Sequence, residues 1–290
     1  MKFSKDFILK STKGETIWDQ STLAANSVNI DSRRTKPGEL FIAIKGENFD
    51  GHDFVKEAFE KGASAAIVEE MPGNLNSQKD KLLIKVESTE KALTNLAKKL
   101  RKSKKGLKLA AITGSNGKTT TKEMTYSILS VNNNVLKNSG NFNNNIGLPL
   151  TLLNLNDDHN LCVVELGMNN FGEIKHLTKI AKPDVGAITN IGRAHLENLG
   201  SVEGVAKAKG ELVQKFTDKN IFCVNIDDPY IISIAEKIEC KKITYSLESK
   251  NADIYSSDIK RDGFKSLIFN INIHNQFRAV RIRGIGEHNV

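Results

Sequence analysis

The sequence has few cysteines and no long apolar run. Only three of its 290 residues are cysteine, and none belongs to a CxxC pair. An odd, widely spaced set argues against a disulfide framework and fits a reducing compartment. No apolar run approaches 18 residues, so no transmembrane helix is predicted, and the first residues lack an apolar stretch of signal-peptide length. These absences favour a cytoplasmic protein without membrane insertion.

The chain also lacks a large excess of charge. Its formal net charge is +8 at pH 7, with 26% charged residues. Such a mild excess suits small anionic substrates and is not specific for nucleic acid. The densest basic run, Lys98–Lys105, is typical of a solvated helix end or linker. We therefore expect small-molecule substrates and no nucleic-acid partner. We also expect a monomer.

Two sections of the chain differ in their pattern. Up to about residue 85, short strand candidates surround one helix, and a second helix is predicted from Ser88 to about Lys102. From Leu107 onward, strands, glycine loops and helices alternate, which predicts a mostly parallel sheet flanked by helices. Alternating apolar residues between 254 and 283 predict appended antiparallel hairpins.

The predicted fold class is therefore α/β. A small N-terminal α/β substrate domain (residues 1–85) is followed by a P-loop domain with a mostly parallel sheet flanked by helices (residues 86–290). The predicted strands are Leu40–Ile44, Ala65–Val68, Leu82–Val86, Lys108–Thr113, Leu161–Glu165, Val185–Thr189, Ile221–Val224 and Lys242–Tyr245. The predicted helices of the second section lie near Lys118–Ser130, Glu173–Ala181, Glu203–Phe216 and Tyr230–Ile238.

The strongest motif is a glycine loop between a strand and a helix, residues Thr113–Thr121. Its glycines let backbone N–H groups close around phosphate oxygens at a helix N-terminus. Lys118 can reach the terminal phosphates, and the Thr119 hydroxyl can bind Mg²⁺. One departure is Ile112, where the usual pattern has glycine. The alternative is an ordinary turn rich in glycine and serine.

Further polar residues follow two neighbouring strands. Glu165 ends a buried strand, where P-loop proteins place an acidic Mg²⁺ ligand. Residues Asn190–His195 follow the next strand of the pattern and reach the same edge of the sheet. The alternatives are a solvated carboxylate for Glu165 and a structural or solvated imidazole for His195.

Lys209 falls on the apolar stripe of a predicted helix, four residues after Val205 and three before Leu212. A lysine on a buried face is costly unless its charge is used or chemically changed. The alternative is a side chain that extends from the edge of the stripe to solvent.

Uncharged and polar side chains form two further candidate sites. The asparagine-rich segment Asn138–Gly147 opens a helix, and its amides suit sugars or peptide groups, with a turn and helix cap as the alternative. Polar loops at Asp31–Arg33 and Lys45–Phe54 flank a strand. Arg33 could bind phosphate or form a surface salt bridge.

Taken together, these segments resemble the Mur ligase family, in family order and over nearly the whole chain. The resemblance covers Asp31–Arg33, Asp50–His52, Thr113–Thr121, Asn143–Thr151, Glu165–Met168, Ala194–Glu197 and Ala206–Glu211. The family's P-loop also lacks the first glycine. The asparagine-rich segment and the segments around His195 and Lys209 are most similar to the member that adds a D-alanyl-D-alanine dipeptide.

The resemblance implies an ATP-dependent amide ligase of peptidoglycan precursor synthesis that uses ATP and Mg²⁺. It would join D-alanyl-D-alanine to UDP-N-acetylmuramoyl-tripeptide through an acyl phosphate, with Lys209 carbamylated by CO₂. The implied catalytic residues are Lys118, Lys209, His195 and Glu165, and the implied metal ligands are Thr119, Glu165, His195 and Lys209.

The resemblance also implies the binding residues. Those for ATP are Thr113, Gly114, Ser115, Asn116, Gly117, Lys118, Thr119 and Thr120, with Asn190 and Asn225 near the adenine. Those for the UDP-linked substrate are Ser32, Arg33, Asn48, Asp50, Gly51 and His52, together with Asn143, Asn144 and Asn145.

The last residues, Gly286–Val290, resemble a family segment near the end of the central domain. We therefore expect the central domain to be incomplete at its C-terminal end and the family's third domain to be absent. Two alternatives stay open. One is a non-catalytic fragment that binds nucleotide or UDP-substrate, and the other is a sister ligase of the Mur or folylpolyglutamate type.

Overall fold

The computed structural model describes residues 3–19, 24–73, 75, 80–262, 266–273 and 276–283. The chain forms two compact units. The first comprises Met1–Leu107 and Asn138–Asn160, and the second comprises Lys108–Lys137 and Leu161–Val290. The predicted division at residue 85 gave two contiguous domains, whereas the first unit extends to Leu107 and takes in the asparagine-rich segment. The assignment of substrate to one domain and ATP to the other stays a prediction.

The described residues contain nine α-helices and sixteen strands. The helices are α1 Lys5–Thr12, α2 Val55–Glu60, α3 Thr89–Ser103, α4 Lys118–Leu129, α5 Gly147–Leu153, α6 Glu173–Ala181, α7 Leu196–Leu199, α8 Val202–Gly210 and α9 Pro229–Glu236. The strands are β1 Phe3–Ser4, β2 Glu15–Trp18, β3 Ala24–Ala25, β4 Val28–Asn29, β5 Leu40–Ile42, β6 Ala65–Val68, β7 Leu82–Lys85, β8 Lys108–Thr113, β9 Val135–Lys137, β10 Leu161–Glu165, β11 Val185–Ile188, β12 Ile221–Asn225, β13 Lys241–Ser246, β14 Ile254–Asp262, β15 Ser266–Ile273 and β16 Gln276–Arg283.

The first unit is built on a five-stranded sheet of order β2-β7-β6-β5-β4, in which only β2 is antiparallel. Helix α3 begins where the Ser88 hydroxyl accepts a hydrogen bond from the Lys91 N–H (3.3 Å). Its leucines at helical spacing, Leu93, Leu96 and Leu100, are fully buried. Helix α5 packs against α3, so the asparagine-rich segment belongs to this core.

The second unit is built on a nine-stranded sheet of order β16-β15-β14-β13-β12-β11-β8-β10-β9. Strands β8 to β14 are parallel, and β15 and β16 complete the sheet as antiparallel hairpins, as the alternating pattern predicted. Strand β8 lies between β10 and β11, where the strand order reverses. A crevice opens at such a switch point, outside the carboxyl ends of the strands. The predicted α/β class is confirmed.

The helix predicted near Glu203–Phe216 is shorter than expected. Helix α8 ends at Gly210, not near Phe216. Beyond it, i→i+3 bonds join Leu212 N to Lys209 O (3.1 Å) and Val213 N to Gly210 O (3.1 Å). These turns still bury Leu212 and Val213, so the apolar spacing was real although the helix does not continue.

The short elements β1 to β4, β9, α1 and α7 were not predicted. Most have two to four residues, too few to show a period. In the described part of the chain, no helix is both long and apolar enough to cross a membrane.

Candidate functional site

The glycine loop runs from the end of β8 to the start of α4. Gly114 has a φ of +149°, and a Cβ atom there would lie 1.9 Å from the Thr189 hydroxyl. Gly117 has a φ of +78° and precedes the first residue of α4. Both positions require glycine, the first because of close packing and the second because of its left-handed backbone. The loop thus brings its backbone to a helix N-terminus, the arrangement that favours phosphate.

Two lysines converge on the carbonyl of Gly114. Lys118 Nζ donates to Gly114 O (2.8 Å) and to Ser115 O (3.2 Å). Lys209 Nζ donates to Gly114 O (2.9 Å) across 95 positions of sequence. Lys209 is 1% exposed, so it does not extend to solvent. Burial, with a smaller effect of the nearby Lys118 charge, lowers the pKa of Lys209 to about 8.

Glu165 lies at the end of β10, beside the loop, and is buried. Its charge acts on Lys118, whose pKa is lowered by burial and partly restored by this carboxylate. Lys122, one turn after Lys118 on α4, is fully buried and lies 3.8 Å from Glu165 Oε2 and 3.1 Å from Glu123 Oε1. Lys122 was not among the residues predicted from the sequence. Its spacing of four residues from Lys118 was the available signal.

The segment after β11 lies against the loop. Asn190 accepts hydrogen bonds from the backbone of Ser115 and Asn116 (both 3.0 Å), so its carboxamide is committed to the loop. Asn225 donates to Thr189 O (3.1 Å). Asp228 accepts from Ile191 N (2.7 Å) and caps α9, a role that the sequence analysis did not assign.

His195 differs from Glu165 and Lys209 in its exposure. It is exposed, with a φ of +54°, and precedes the first residue of α7. Thr119 and Thr120 are also exposed. The structure therefore brings together Lys118, Lys209 and Glu165 of the four predicted catalytic residues. Within the described ranges, no group of three or more His, Cys, Asp or Glu side chains is arranged to hold a metal.

The balance of charge decides what this site can accept. Lys118 and Lys122 lie near the carboxylate of Glu165, and Lys209 joins Lys118 at the Gly114 carbonyl. Even with Glu123 paired to Lys122, the lysines outnumber the carboxylates, and an excess of positive charge suits a phosphate group. The Glu165 carboxylate and the Thr119 hydroxyl supply the oxygen ligands that Mg²⁺ prefers. Mg²⁺ commonly arrives with phosphates at nucleotide sites, and its binding to Glu165 and Thr119 stays a prediction.

A second candidate site lies within the first unit, where a cavity of about 400 Å³ opens beside β4 and α5. Asn144, which the sequence analysis predicted, lines it, and so do Asp31 and Arg34. Asn144 Oδ1 also accepts from Gly147 N (2.8 Å), so this residue caps α5 as well. The other polar residues that line the cavity are Asn29, Asn141 and Asn154.

Two neighbouring predicted residues, Ser32 and Arg33, have other partners. The buried Ser32 hydroxyl donates to Glu57 Oε2 (2.8 Å). The exposed Arg33 donates through Nε and Nη2 to Asp31 (both 2.9 Å), which is the salt-bridge alternative. This hydrogen-bonded pair is the main cause of the lowered pKa of Asp31. Arg34, next in sequence, is the arginine that faces the cavity.

The predicted loop around His52 is held by hydrogen bonds within the first unit. His52 is buried, its Nδ1 lies 2.6 Å from Asp50 Oδ1, and its Nε2 accepts from Glu69 N (2.8 Å). This pairing places the ring proton on Nδ1. A Cβ atom at Gly51 would lie 2.7 Å from Ile44 O, which explains the glycine. Substrate binding by these residues, and by the exposed Asn48 and Asn145 and the half-buried Asn143, stays a prediction.

Comparison with known proteins identifies relatives along the whole chain. Residues 112–290 match the Mur ligase middle domain, and residues 25–101 match the Mur ligase family, catalytic domain. The chain is 36% identical over 283 residues to the UDP-N-acetylmuramoyl-tripeptide–D-alanyl-D-alanine ligase of Bacillus subtilis (strain 168), covering 98% of this chain and 59% of that protein. It is 34% identical to the enzyme of the same name from Haemophilus influenzae, covering 100% of this chain and 62% of that enzyme.

Solved structures agree with these sequence matches. Crystal structure I of MurF from Acinetobacter baumannii has a TM-score of 0.89 at 33% identity, covering 100% of this chain and 62% of that one. MurF ligase from Thermotoga maritima in complex with ADP has a TM-score of 0.79 at 32% identity, covering 91% of this chain and 60% of that one. E. coli FolC, at 14% identity and a TM-score of 0.51, shares the fold alone. The chain spans about 60% of the length of the relatives it matches.

Proposed function

Because the chain belongs to the Mur ligase family, we propose that it supplies the substrate-binding and nucleotide-binding parts of an ATP-dependent ligase. The reaction would join D-alanyl-D-alanine to UDP-N-acetylmuramoyl-tripeptide in peptidoglycan precursor synthesis, as the names of its relatives indicate. The observation that carries the proposal is the buried Lys209, whose ammonium bonds the carbonyl of Gly114 inside the phosphate loop. An ordinary turn of glycine and serine would not explain a buried lysine that bonds it from 95 positions further along the chain.

Lys118 and the backbone N–H groups of the loop would hold the phosphates of ATP. Lys118 would exchange its bonds to Gly114 O and Ser115 O for phosphate oxygens. The terminal carboxylate of the tripeptide would be phosphorylated, giving an acyl phosphate and ADP. The amine of D-alanyl-D-alanine would then attack the acyl carbon and release phosphate. Buried positive charge around the loop stabilises the charge of the transferring group.

We propose that Thr119 and Glu165 hold Mg²⁺ together with the phosphates, and that Glu165 and His195 take part in a second metal site. The metal would neutralise the charge that builds on the transferring phosphoryl group. His195 contributes only if its exposed imidazole turns toward Glu165.

Lys209 is proposed to react with CO₂ to form a carbamate. A neutral amine is the reactive form, and a pKa of about 8 leaves an appreciable neutral fraction near neutral pH. The carbamate keeps one N–H on Nζ, so the bond to Gly114 can persist. The change from a cation to an anion would then favour a metal ion beside Glu165.

The cavity of the first unit is proposed to bind part of the UDP-linked substrate. Its amides suit uncharged hydrogen-bonding groups, and Arg34 supplies a positive charge for a phosphate or carboxylate. We also propose that the protein is a cytoplasmic monomer that acts on small molecules and not on nucleic acid, which its free cysteines and mild charge support.

Calorimetry with ADP tests the nucleotide site in this chain. Lys118→Ala should weaken ADP binding by about tenfold or more, because a charge-assisted contact to phosphate is lost. Lys108→Ala is the matched control, since Lys108 is an exposed partner of Asp184 at 3.1 Å in the same unit. Equal ADP affinity for wild type and Lys118→Ala would remove the phosphate-loop claim. Turnover is measured separately, by phosphate release with both substrates present.

A further inference from the structure

The two residues that follow β11, Thr189 and Asn190, hold the phosphate loop from one side. We infer that Asn190 is a positioning residue of this loop and not a contact for the nucleotide base, the role that the family resemblance suggested. The inference rests on the proposed nucleotide binding. It concerns which part of that site Asn190 serves.

The contacts centre on the peptide groups of Asn116. The Asn116 N–H donates to Asn190 Oδ1 (3.0 Å), and the Asn116 carbonyl accepts from Asn190 Nδ2 (3.3 Å). The same carbonyl accepts a second bond from the Thr189 hydroxyl (2.6 Å). One carboxamide therefore bonds both the donor and the acceptor of a single residue, which fixes its orientation.

The preceding residue of the loop is held in the same way. The Ser115 N–H donates to the Asn190 carbonyl (3.0 Å), and the Gly192 N–H donates to the Ser115 hydroxyl (2.8 Å). Ser115 and Asn116 are thus bonded through backbone and side chain alike to residues 189–192. The loop cannot change shape without breaking several of these bonds together.

This holding segment is itself anchored to the sheet. Thr189 N donates to Thr113 O (2.9 Å), and Asn225 Nδ2 donates to Thr189 O (3.1 Å). The Thr189 side chain also fills the space where a Cβ of residue 114 would be. The segment is therefore a rigid support, because two strands of the sheet, β8 and β12, carry its partners.

Asn116 lies two residues before the first residue of α4. Gly117 is the N-cap of α4, and no side chain in the described part of the chain caps that helix. Its first N–H groups are therefore available to an anion. Both polar atoms of the Asn190 carboxamide are already used on Asn116, so they are not aimed at a base.

Two ligands separate a positioning role from a base contact. Pyrophosphate carries the phosphates without the base, and ADP carries both. With Asn190→Ala we expect the affinity for both ligands to fall by a similar factor, about tenfold for the loss of two hydrogen bonds. A fall for ADP with unchanged pyrophosphate affinity would show a base contact and overturn the inference.

Thr189 provides a conservative rescue. Thr189→Val removes the hydroxyl that bonds Asn116 O and should weaken pyrophosphate binding, whereas Thr189→Ser keeps the hydroxyl and should restore it. Asn220→Ala is the matched control, because Asn220 also donates to a backbone carbonyl (Pro183 O, 3.0 Å) in the same unit. A loss of affinity in this control equal to that of Asn190→Ala would reduce the effect to general destabilisation and contradict the inference.

A measurement without ligand completes the test. The amide hydrogen of Asn116 should exchange at least about tenfold faster in Asn190→Ala than in wild type, because it loses its acceptor. Unchanged exchange would overturn the inference whatever the binding data show. If wild type binds neither ADP nor pyrophosphate, the proposed nucleotide site fails, while faster Asn116 exchange would still support the positioning role.

Discussion

At the scale of single residues, Lys209 combines an unusual burial with a lowered pKa. Its place on an apolar stripe predicted either a buried lysine with a special role or a side chain that escapes to solvent. The structure buries it against Gly114 and lowers its pKa to about 8. Burial is the main cause, since removing a charge from water is unfavourable, and Lys118 adds repulsion. The site thus holds its lysine at a cost in stability.

That cost depends on pH. Below pH 8, Lys209 is protonated in both the folded and the unfolded chain, so folding carries the full cost of burying its charge. Between about 8 and the unfolded value of about 10.4, only the unfolded chain keeps the proton, so stability rises with pH. In CO₂-free buffer, Lys209→Met should therefore increase the free energy of unfolding at pH 7 by up to about 3 kcal/mol.

The increase in the free energy of unfolding that Lys209→Met causes at pH 7 should fall toward zero at pH 10.5. Denaturant unfolding at pH 7 and pH 10.5 measures the difference. Lys207→Met is the control, because Lys207 is exposed on the same helix. An equal effect of Lys209→Met at both pH values would contradict a lowered pKa.

At the scale of elements, Glu211 joins two helices of the second unit. It follows α8, and its carboxylate accepts from Gly172 N (2.8 Å) and Lys175 N (3.0 Å) at the start of α6. The N-cap of α6 is Gly172, which has no side chain to cap the helix. Glu211 takes over that task from a distance of nearly forty residues, and its negative charge also suits the helix dipole.

Removal of this remote cap should destabilise the second unit. We expect Glu211→Ala to lower the free energy of unfolding by about 1–2 kcal/mol, the usual size for a lost N-cap. Urea unfolding followed by circular dichroism measures the change. Glu236→Ala is the control, since Glu236 is exposed in the last turn of α9. If the two variants lose the same stability, Glu211 does not cap α6.

At the scale of the whole molecule, the division into units does not follow chain order. Residues 138–160 leave the second unit in sequence and join the first, where α5 packs on α3. The asparagine-rich segment therefore lies beside β4 and lines the same cavity as Arg34. A cavity that one stretch of sequence could not form is made by two stretches about a hundred residues apart.

The single tryptophan reports on this arrangement. Trp18 belongs to the first unit and lies near Phe59, with ring centroids 6.2 Å apart and the rings tilted by 32°. Leu152→Ala, in the buried face of α5, should lower the stability measured by Trp18 fluorescence by about 2–5 kcal/mol, as large core truncations do. Met71→Ala, at a side chain 45% exposed, is the control. A Trp18 transition unaffected by Leu152→Ala would show that α5 is not part of that core.

The sequence by itself determined the α/β class, most strands of the two larger sheets, and the phosphate loop. These features depend on local patterns: period-two or continuous apolar runs, helical spacing, and glycines that permit special backbone angles. Strands β6, β8 and β10 begin and end at the predicted residues. The spacing also placed Lys209 on the apolar stripe of its helix, because a helix repeats every 3.6 residues, although exposure at the edge of the stripe stayed the alternative.

Only the tertiary structure decided which residues meet. The roles of Lys122, Glu211, Arg34 and Asp228 depend on partners that are distant in sequence, and a pattern along the chain contains no such distances. For the same reason, the sequence did not predict that the Asn190 carboxamide bonds the loop. Nor did it predict that residues 138–160 join the first unit. Contacts between distant segments are selected by how whole elements pack, and packing is a property of the folded chain.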